Sequence, residues 1–408
     1  MDVREAIVLA HREEWARVVA SLGRRVGDLD IAEEAAAEAF AVAVERWPID
    51  GVPPNPGAWL TTTAYRKAID RLRREAKRDG KHREAELVFD DDPPDLLGAI
   101  DDDRLRLVFT CAHPALSMET RMALTLRMVG GLTVAEIARA FFVQEKAMEQ
   151  RITRAKAKIR DAGIPFRVPS AEDLPARVSG VLAVLYLVFN EGYLASGDGS
   201  EPIRGELTTE AIRLARLVRG LLPDDGEVAG LLALMLLIEA RRPARMSSGG
   251  ELIPIDQQDR TSWDAALIAE GHGLVRERLA SGIAPGRYQV LAAINAVHTS
   301  ARDMRDTDWS QVVALYDQLV ILDPSPVVAM NRAIAVAEID GPDVALASVD
   351  RLADALGGYH AFHATRADLL RRLGRSHESR DAYERAIALA GNTAEAAYLT
   401  RRRDQLGR

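Results

Sequence analysis

The sequence predicts an all-α protein: two small helical modules followed by a large helical-repeat domain. Three observations predict it. Apolar residues recur at spacings of three and four along almost the whole chain, and few alternating runs suggest strands. Thr133-Val-Ala-Glu136 has the form of a capping box that opens a helix-turn-helix. Toward the C-terminus a repeat of about 34 residues emerges.

A chain of 408 residues is too long for one ordinary core. Residues 1–81 form the first module. Helices are expected at Val3–Leu22 and Asp30–Trp47, then a turn through Pro53, Pro54, Pro56 and Gly57. A third helix runs from Ala58 to about Asp79, and the prolines set its start. The second helix presents Asp30, Glu33, Glu34 and Glu38 on one face, with alanines, Phe40 and Trp47 turned inward. The third opens at Trp59-Leu60 and turns basic through Tyr65, Arg66, Lys67, Arg71, Arg73 and Arg74. An aromatic followed by a basic helix suits single-stranded DNA, where stacking and phosphate contacts combine.

Residues 82–100 form an acidic linker containing Asp-Asp-Asp-Pro-Pro-Asp, too poor in apolar residues to fold alone. Residues 101–163 form the second module. Val134, Ile137, Ala138 and Phe141 give its capped helix one apolar stripe, and Phe142-Val143-Gln144 make the turn. The next helix, Glu145 to Asp161, buries Met148, Ile152, Ala155 and Ile159. Lys146, Gln150 and Thr153 lie opposite that stripe, flanked by Glu149 and Arg154, while Arg151, Lys156, Lys158 and Arg160 add positive charge. This layout suits a recognition helix that reads base edges and phosphates. An amphipathic hairpin with a solvated basic face has the same pattern.

A second linker, 164–175, carries Pro165, Pro169 and Pro175. The α-helical C-terminal domain, 176–408, then shows apolar helices at Val178–Phe189, Ile212–Leu222, Val228–Ile238, Leu267–Leu279 and Tyr288–Val297. The repeat at its end has the tetratricopeptide period. Ala367, Leu370, Gly374, Tyr383, Ala386 and Gly391 fit it, with Ser379 in place of a small Ala. Tyr316, Leu319 and Pro324, then Ala333, Gly341 and Ala345, carry the earlier periods. Stacked helix pairs form concave surfaces suited to a protein or peptide partner. A scaffold that only stabilises the chain has the same pattern. Arg241, Arg242 and Arg245 open a polar loop that runs on through Met246 to Ser262, and these arginines are expected to contact a partner or ligand.

The formal net charge of -8 argues at first against nucleic acid. The charge is segregated, however, and charges beyond about 8–10 Å are screened at cellular ionic strength. Basic residues dominate from Arg66 to Lys81 and again from Lys146 to Arg160, while Glu84 to Asp103 is acidic. Such a chain is suited to touch DNA at two patches while being too acidic overall to bind it well alone. Its single cysteine, Cys111, follows an apolar segment and reads as a small buried hydrophobe. There is no HExxH, no phosphate-cradling Gly-rich loop and no cysteine pair. His360 and His363 share a helical face without a third ligand. No enzyme activity, metal or cofactor is expected. The apolar stretch Val178–Phe189 is too short to span a membrane and no secretory leader opens the chain, so a cytoplasmic protein is expected.

The order is an acidic helix, a Trp59-Leu60 start, Ala68-Ile69-Asp70 followed by Arg73-Arg74, an acidic linker and a helix-turn-helix. It resembles the extracytoplasmic-function (ECF) class of bacterial RNA polymerase sigma factors over roughly residues 1–162. The long C-terminal part resembles the subgroup whose sigma core is fused to a tetratricopeptide-like (TPR-like) domain. The resemblance implies that residues 1–81 are sigma region 2 and 101–163 the helix-turn-helix region 4. It implies core polymerase binding through Asp30, Glu33, Glu34 and Glu38, where acidic residues would meet a basic coiled coil. It gives the −10 element to Trp59, Tyr65, Arg66, Lys67, Arg71, Arg73 and Arg74. It gives the −35 element to Gln144, Lys146, Glu149, Gln150, Arg151, Thr153, Arg154 and Lys158. The acidic linker would enter the polymerase's basic channel, or serve as a solvated spacer. This sequence departs from the family at Arg66, where Asn is frequent, at Thr63, where a larger aliphatic is, and at Phe142, where the turn usually has glycine. The implied function is promoter recognition and transcription initiation with core RNA polymerase, modulated by the C-terminal domain. The alternative is a ligand- or peptide-responsive helix-turn-helix regulator with a TPR sensor domain, which leaves residues 1–81 unexplained.

Overall fold

The computed structural model describes residues 3–78, 100–141, 143–194, 203–247, 251–391 and 393–406. The expected acidic linker, apart from residue 100, lies outside the described residues, as does the turn residue Phe142. Among the described residues every extended element is a helix, and pairing of β type is limited to one bridge, Met246 with Leu252. The all-α expectation holds. The chain divides into two compact units, Met1–Leu187 and Val188–Arg408.

The first unit begins with α1 (Val3–Val26), α2 (Leu29–Asp50) and α3 (Pro56–Arg78). Ala32, Ala35, Ala36, Ala39 and Ala43 are buried along α2, so small side chains let its neighbours approach closely. Asp28 caps α2, its carboxylate accepting from the amides of Asp30 (2.7 Å) and Ile31 (3.2 Å). Two boundaries differ from expectation for reasons of capping. α1 runs four residues past Leu22, until Gly27 (φ 71°) donates its amide to the Gly23 carbonyl. α3 starts at Pro56 because Asn55 Oδ1 accepts from Ala58 N at 3.0 Å, which makes the proline the first helical residue. The unit continues with α4 (Ile100–Cys111), α5 (Met118–Met128), α6 (Val134–Ala140) and α7 (Glu145–Asp161). Asp103, 1% exposed, joins α4 to α1 through Arg24 Nε at 2.9 Å. Cys111 is fully buried, and burial alone pushes its thiol pKa far up, as suits a packing residue.

The division between units falls inside α8 (Leu174–Tyr193). This helix is longer than the apolar stretch read from the sequence. At 20 residues it is long and apolar enough, by length and composition only, to cross a membrane. Its Val178, Val181, Leu182, Val184, Leu185, Val188 and Phe189 are nonetheless buried within the protein. A core helix passes the same test.

The second unit is built around α10 (Gly226–Glu239), whose residues from Val228 to Leu237 are all buried. α9 (Gly205–Leu221), α11 (Ala265–Ala280) and α12 (Arg287–Ser300) pack against it. Then follow α13 (Trp309–Leu322), α14 (Pro326–Val336), α15 (Pro342–Asp350), the single turn α16 (Ala353–Leu356), α17 (His360–Arg372), α18 (Ser376–Ala388) and α19 (Thr393–Asp404). The repeat positions Ala333, Ala345, Ala367, Leu370, Ser379, Tyr383 and Ala386 are buried. Ser379 stands where a small Ala fits, and its Oγ donates to the Ala367 carbonyl at 2.8 Å. Gly341 (φ 96°) and Gly374 (φ 73°) sit at the turns into α15 and α18.

The loop after α10 is tied to the ends of α8 and α10. Arg245 is 6% exposed, lies over the Tyr193 ring at 3.4 Å and donates to the Tyr193 carbonyl at 2.6 Å. Arg242 pairs with Glu239 at 2.6 Å. Two of the three arginines expected to meet a partner are therefore engaged within the protein, Arg245 with the end of α8 and Arg242 with the end of α10. The loop also contains short 3-10 turns at Ile255–Gln257 and Arg260–Ser262.

Candidate nucleic-acid interface

The helix-turn-helix forms as its capping box predicts. Thr133 N donates to Glu136 Oε2 at 2.7 Å, and Glu136 N donates to Thr133 Oγ1 at 3.2 Å. Ile137 and Ala138 of α6 are buried, as are Met148, Ile152, Ala155 and Ile159 of α7. Burying that stripe turns Lys146, Glu149, Gln150, Thr153 and Arg154 to the exterior. Gln144 is exposed at the N-cap of α7 and makes no side-chain cap bond there. Arg151 is half-buried, and Arg154 donates to Gln150 Oε1 at 3.3 Å. A helix with an exposed polar N-terminal half and basic flanks can approach a groove with donors and acceptors outward.

The other cations of α7 are committed inside the unit. Lys158 Nζ donates to the Ala115 carbonyl at 2.5 Å. Lys156 Nζ lies 2.6 Å from Asp30 and 2.7 Å from Glu33. Arg160 lies 3.7 Å from Asp28 and 3.6 Å from Asp30. On α5, Arg127 Nε donates to Glu33 Oε1 at 2.5 Å, and its guanidinium lies over the Trp15 ring. Glu33 is only 7% exposed. Burial opposes the charge of Lys156, yet Glu33 and Asp30 outweigh it and raise the ammonium pKa above its ordinary value. The pairing of α2 with α5 and α7 corrects the sequence expectation at two points: Glu33 lies inside the unit and not on an open acidic face, and the positive charge that Lys156 and Arg160 add to α7 is balanced by Asp28, Asp30 and Glu33.

Two further acidic residues of α2, Glu34 and Glu38, face α3. Glu34 pairs with Arg71, and Glu38 lies 3.5 Å from Lys67. Trp59 is half-buried, its ring edge-on to the buried Trp47 at 5.6 Å. Tyr65 lies under the Arg25 guanidinium at 5.2 Å. Arg66, Arg73 and Arg74 are exposed, and Arg74 Nε donates to the Asp70 carbonyl. Of these basic residues of α3, Lys67 and Arg71 balance α2, and Arg66, Arg73 and Arg74 point outward.

Comparison with known proteins accords with this arrangement. Residues 11–78 match Sigma-70 region 2 and residues 106–159 match Sigma-70 region 4. Residues 177–279, from α8 through most of α11, match a family of unknown function, DUF6596. The two helical modules carry Sigma-70 regions 2 and 4 and, with the relatives that follow, support a sigma factor of the ECF type. The chain is 44% identical over 396 residues to Uncharacterized protein R00370 of Rhizobium meliloti (strain 1021), covering 96% of this chain and 93% of that one, and belongs to the same family. It is also 28% identical over 166 residues to the ECF RNA polymerase sigma factor SigK of Mycobacterium ulcerans (strain Agy99), covering 39% of this chain and 82% of that one. The same identity over 179 residues, 42% of this chain and 60% of the other, relates it to the probable ECF RNA polymerase sigma factor SigI of Mycobacterium tuberculosis (strain ATCC 25618 / H37Rv).

Proposed function

We propose that the chain binds core RNA polymerase and, with it, directs promoter recognition and transcription initiation. The observation that carries this reading is the pair of outward basic faces, Arg66, Arg73 and Arg74 on α3 and Lys146, Gln150, Thr153 and Arg154 on α7, in a chain of net charge -8. Neither face has enough positive charge to hold duplex DNA by itself. Two weak contacts held at a set spacing by a larger enzyme gain effective concentration without new interface.

In this reading residues 1–81 act as region 2 and 101–163 as region 4, with 82–100 and 164–175 as linkers. Trp59, Tyr65, Arg66, Lys67, Arg71, Arg73 and Arg74 serve the −10 element. Gln144, Lys146, Glu149, Gln150, Arg151, Thr153, Arg154 and Lys158 serve the −35 element. Asp30, Glu33, Glu34 and Glu38 dock on core polymerase, whose cations replace those of α3, α5 and α7. Residues 176–408, TPR-like toward their end, modulate this activity and hold a protein or peptide partner.

Run-off transcription with purified core polymerase on the protein's own upstream region tests the proposal. The full chain is expected to fix a start site. Replacing Arg73, Arg74, Arg151 and Arg154 by Ala is expected to abolish that start while the chain still binds core polymerase. Specific binding of the chain to its target duplex without polymerase would instead establish the ligand-responsive regulator.

A further inference from the structure

The second unit contains a cavity of about 340 Å3 bounded by α10, α11, α12 and α13. This falls in the range of roughly 300–1,000 Å3 typical of small-molecule sites. Its walls are apolar, with Ala233, Leu274, Val275, Ala293 and Leu315 among them. Three polar side chains reach it: Arg278, Gln289 and Gln318. Leu279 (72% exposed) and Ile283 (63% exposed) add apolar surface to the lining, and the chain turns there at Gly282 (φ 66°).

Two donors converge at one end. A Cβ on Gly226, the first residue of α10, would stand 2.2 Å from Gln289 Nε2 and 2.8 Å from Arg278 Nη2. Glycine there is what lets the amide and the guanidinium come together. At Gly230 a Cβ would stand 2.5 Å from the Gln289 backbone nitrogen, so α10 and α12 touch without intervening side chains.

Among the described residues no carboxylate pairs with Arg278, and its buried Nε has no hydrogen-bond partner. The nearby carboxylates are used elsewhere. Asp225 accepts from the amides of Glu227 and Val228, and Glu227 accepts from those of Tyr288 and Gln289. A guanidinium beside an apolar cavity, with an amide donor next to it, offers charge-assisted hydrogen bonds to one carboxylate. The apolar walls suit a ligand whose charge is confined to the arginine end and whose body is hydrocarbon, which inorganic phosphate lacks.

We propose that this cavity binds a small monocarboxylic acid with an apolar body. The carboxylate sits at Arg278 and Gln289, and the hydrocarbon lies among α10, α11, α12 and α13. Ligand binding here makes the second unit a sensor. That consequence rests on the modulation reading above, whereas the binding itself does not.

Calorimetric titration of the full chain with sodium decanoate tests it. Decanoate is expected to bind saturably at one site. Arg278→Gln is expected to weaken binding about ten-fold or more, the loss of one charge-assisted contact. Arg278→Lys, which keeps the charge, is expected to retain most of the affinity. Decanol, which lacks the carboxylate, is expected to be indifferent to Arg278→Gln. Absence of saturable decanoate binding overturns the proposal. So does binding that Arg278→Gln leaves unchanged in a variant whose helical circular dichroism matches the parent, or displacement of decanoate by inorganic phosphate. Run-off transcription on the unliganded chain is scored separately, so failure of this site and failure of the sigma-factor reading are distinguishable.

Discussion

Glu33 has Arg127 at 2.5 Å and Lys156 at 2.7 Å, and hardly any of it meets solvent. A buried carboxylate with two cations is stabilising only while both remain, because removing one leaves charge without compensation. Lys156→Ala is expected to lower the stability of the first unit by about 2 kcal/mol, less than a lone buried pair would cost because Arg127 stays. Urea unfolding measures it, and an unchanged midpoint would refute the role. His298 presents the opposite case. Burial, then Arg241 and Arg260, push its pKa from 6.5 down to about 4, and its Nδ1 has no partner. Between those values the unfolded chain binds a proton that the folded chain refuses. The stabilisation is complete above pH 6.5 and is lost as pH falls toward 4. His298→Asn should flatten that part of the stability–pH curve, as thermal unfolding at a series of pH values would reveal.

At the scale of elements, turns decide how the helices follow one another. Gly341 and Gly374 each provide a positive φ at the turn into the next helix, α15 and α18. Around Gly374 a Cβ would meet nothing within 4 Å, so the cost of a side chain there is conformational alone. Gly374→Ala is expected to destabilise the second unit by about 1 kcal/mol. Equilibrium denaturation tests this, and an equally stable alanine variant would mean the turn tolerates another conformation. The same local logic made α6 and α7 readable. Thr133 and Glu136 bond reciprocally, and spacings of four, three and four place Met148, Ile152, Ala155 and Ile159 inside. Helix ends were less readable wherever the cap lay outside the apolar pattern, as with Asn55 before α3 and Gly27 after α1.

For the whole molecule, segregation of charge matters more than its sum. Within the first unit, acidic α2 meets cations of α3, α5 and α7, which leaves Arg66, Arg73, Arg74, Lys146 and Arg154 outward. In the proposed function a chain arranged this way has little field for DNA at long range and depends on core polymerase to hold its two faces in place. That dependence is why the transcription assay requires core polymerase. α8 teaches a related point: composition alone lets it pass for a membrane span, and the burial of one apolar face, Val178 to Phe189, is a property of the fold.

Helix class, the helix-turn-helix and the outward faces of α3 and α7 were legible in the order of residues, because periodicity and capping act within one or two turns of chain. The pairing of Glu33 with Lys156 spans 123 residues, and the cavity at Arg278 draws on four helices. Attraction between charges depends on distance and burial in space, and a cavity on how far packed helices stand apart. Neither leaves a spacing along the chain, so folding alone brought them about.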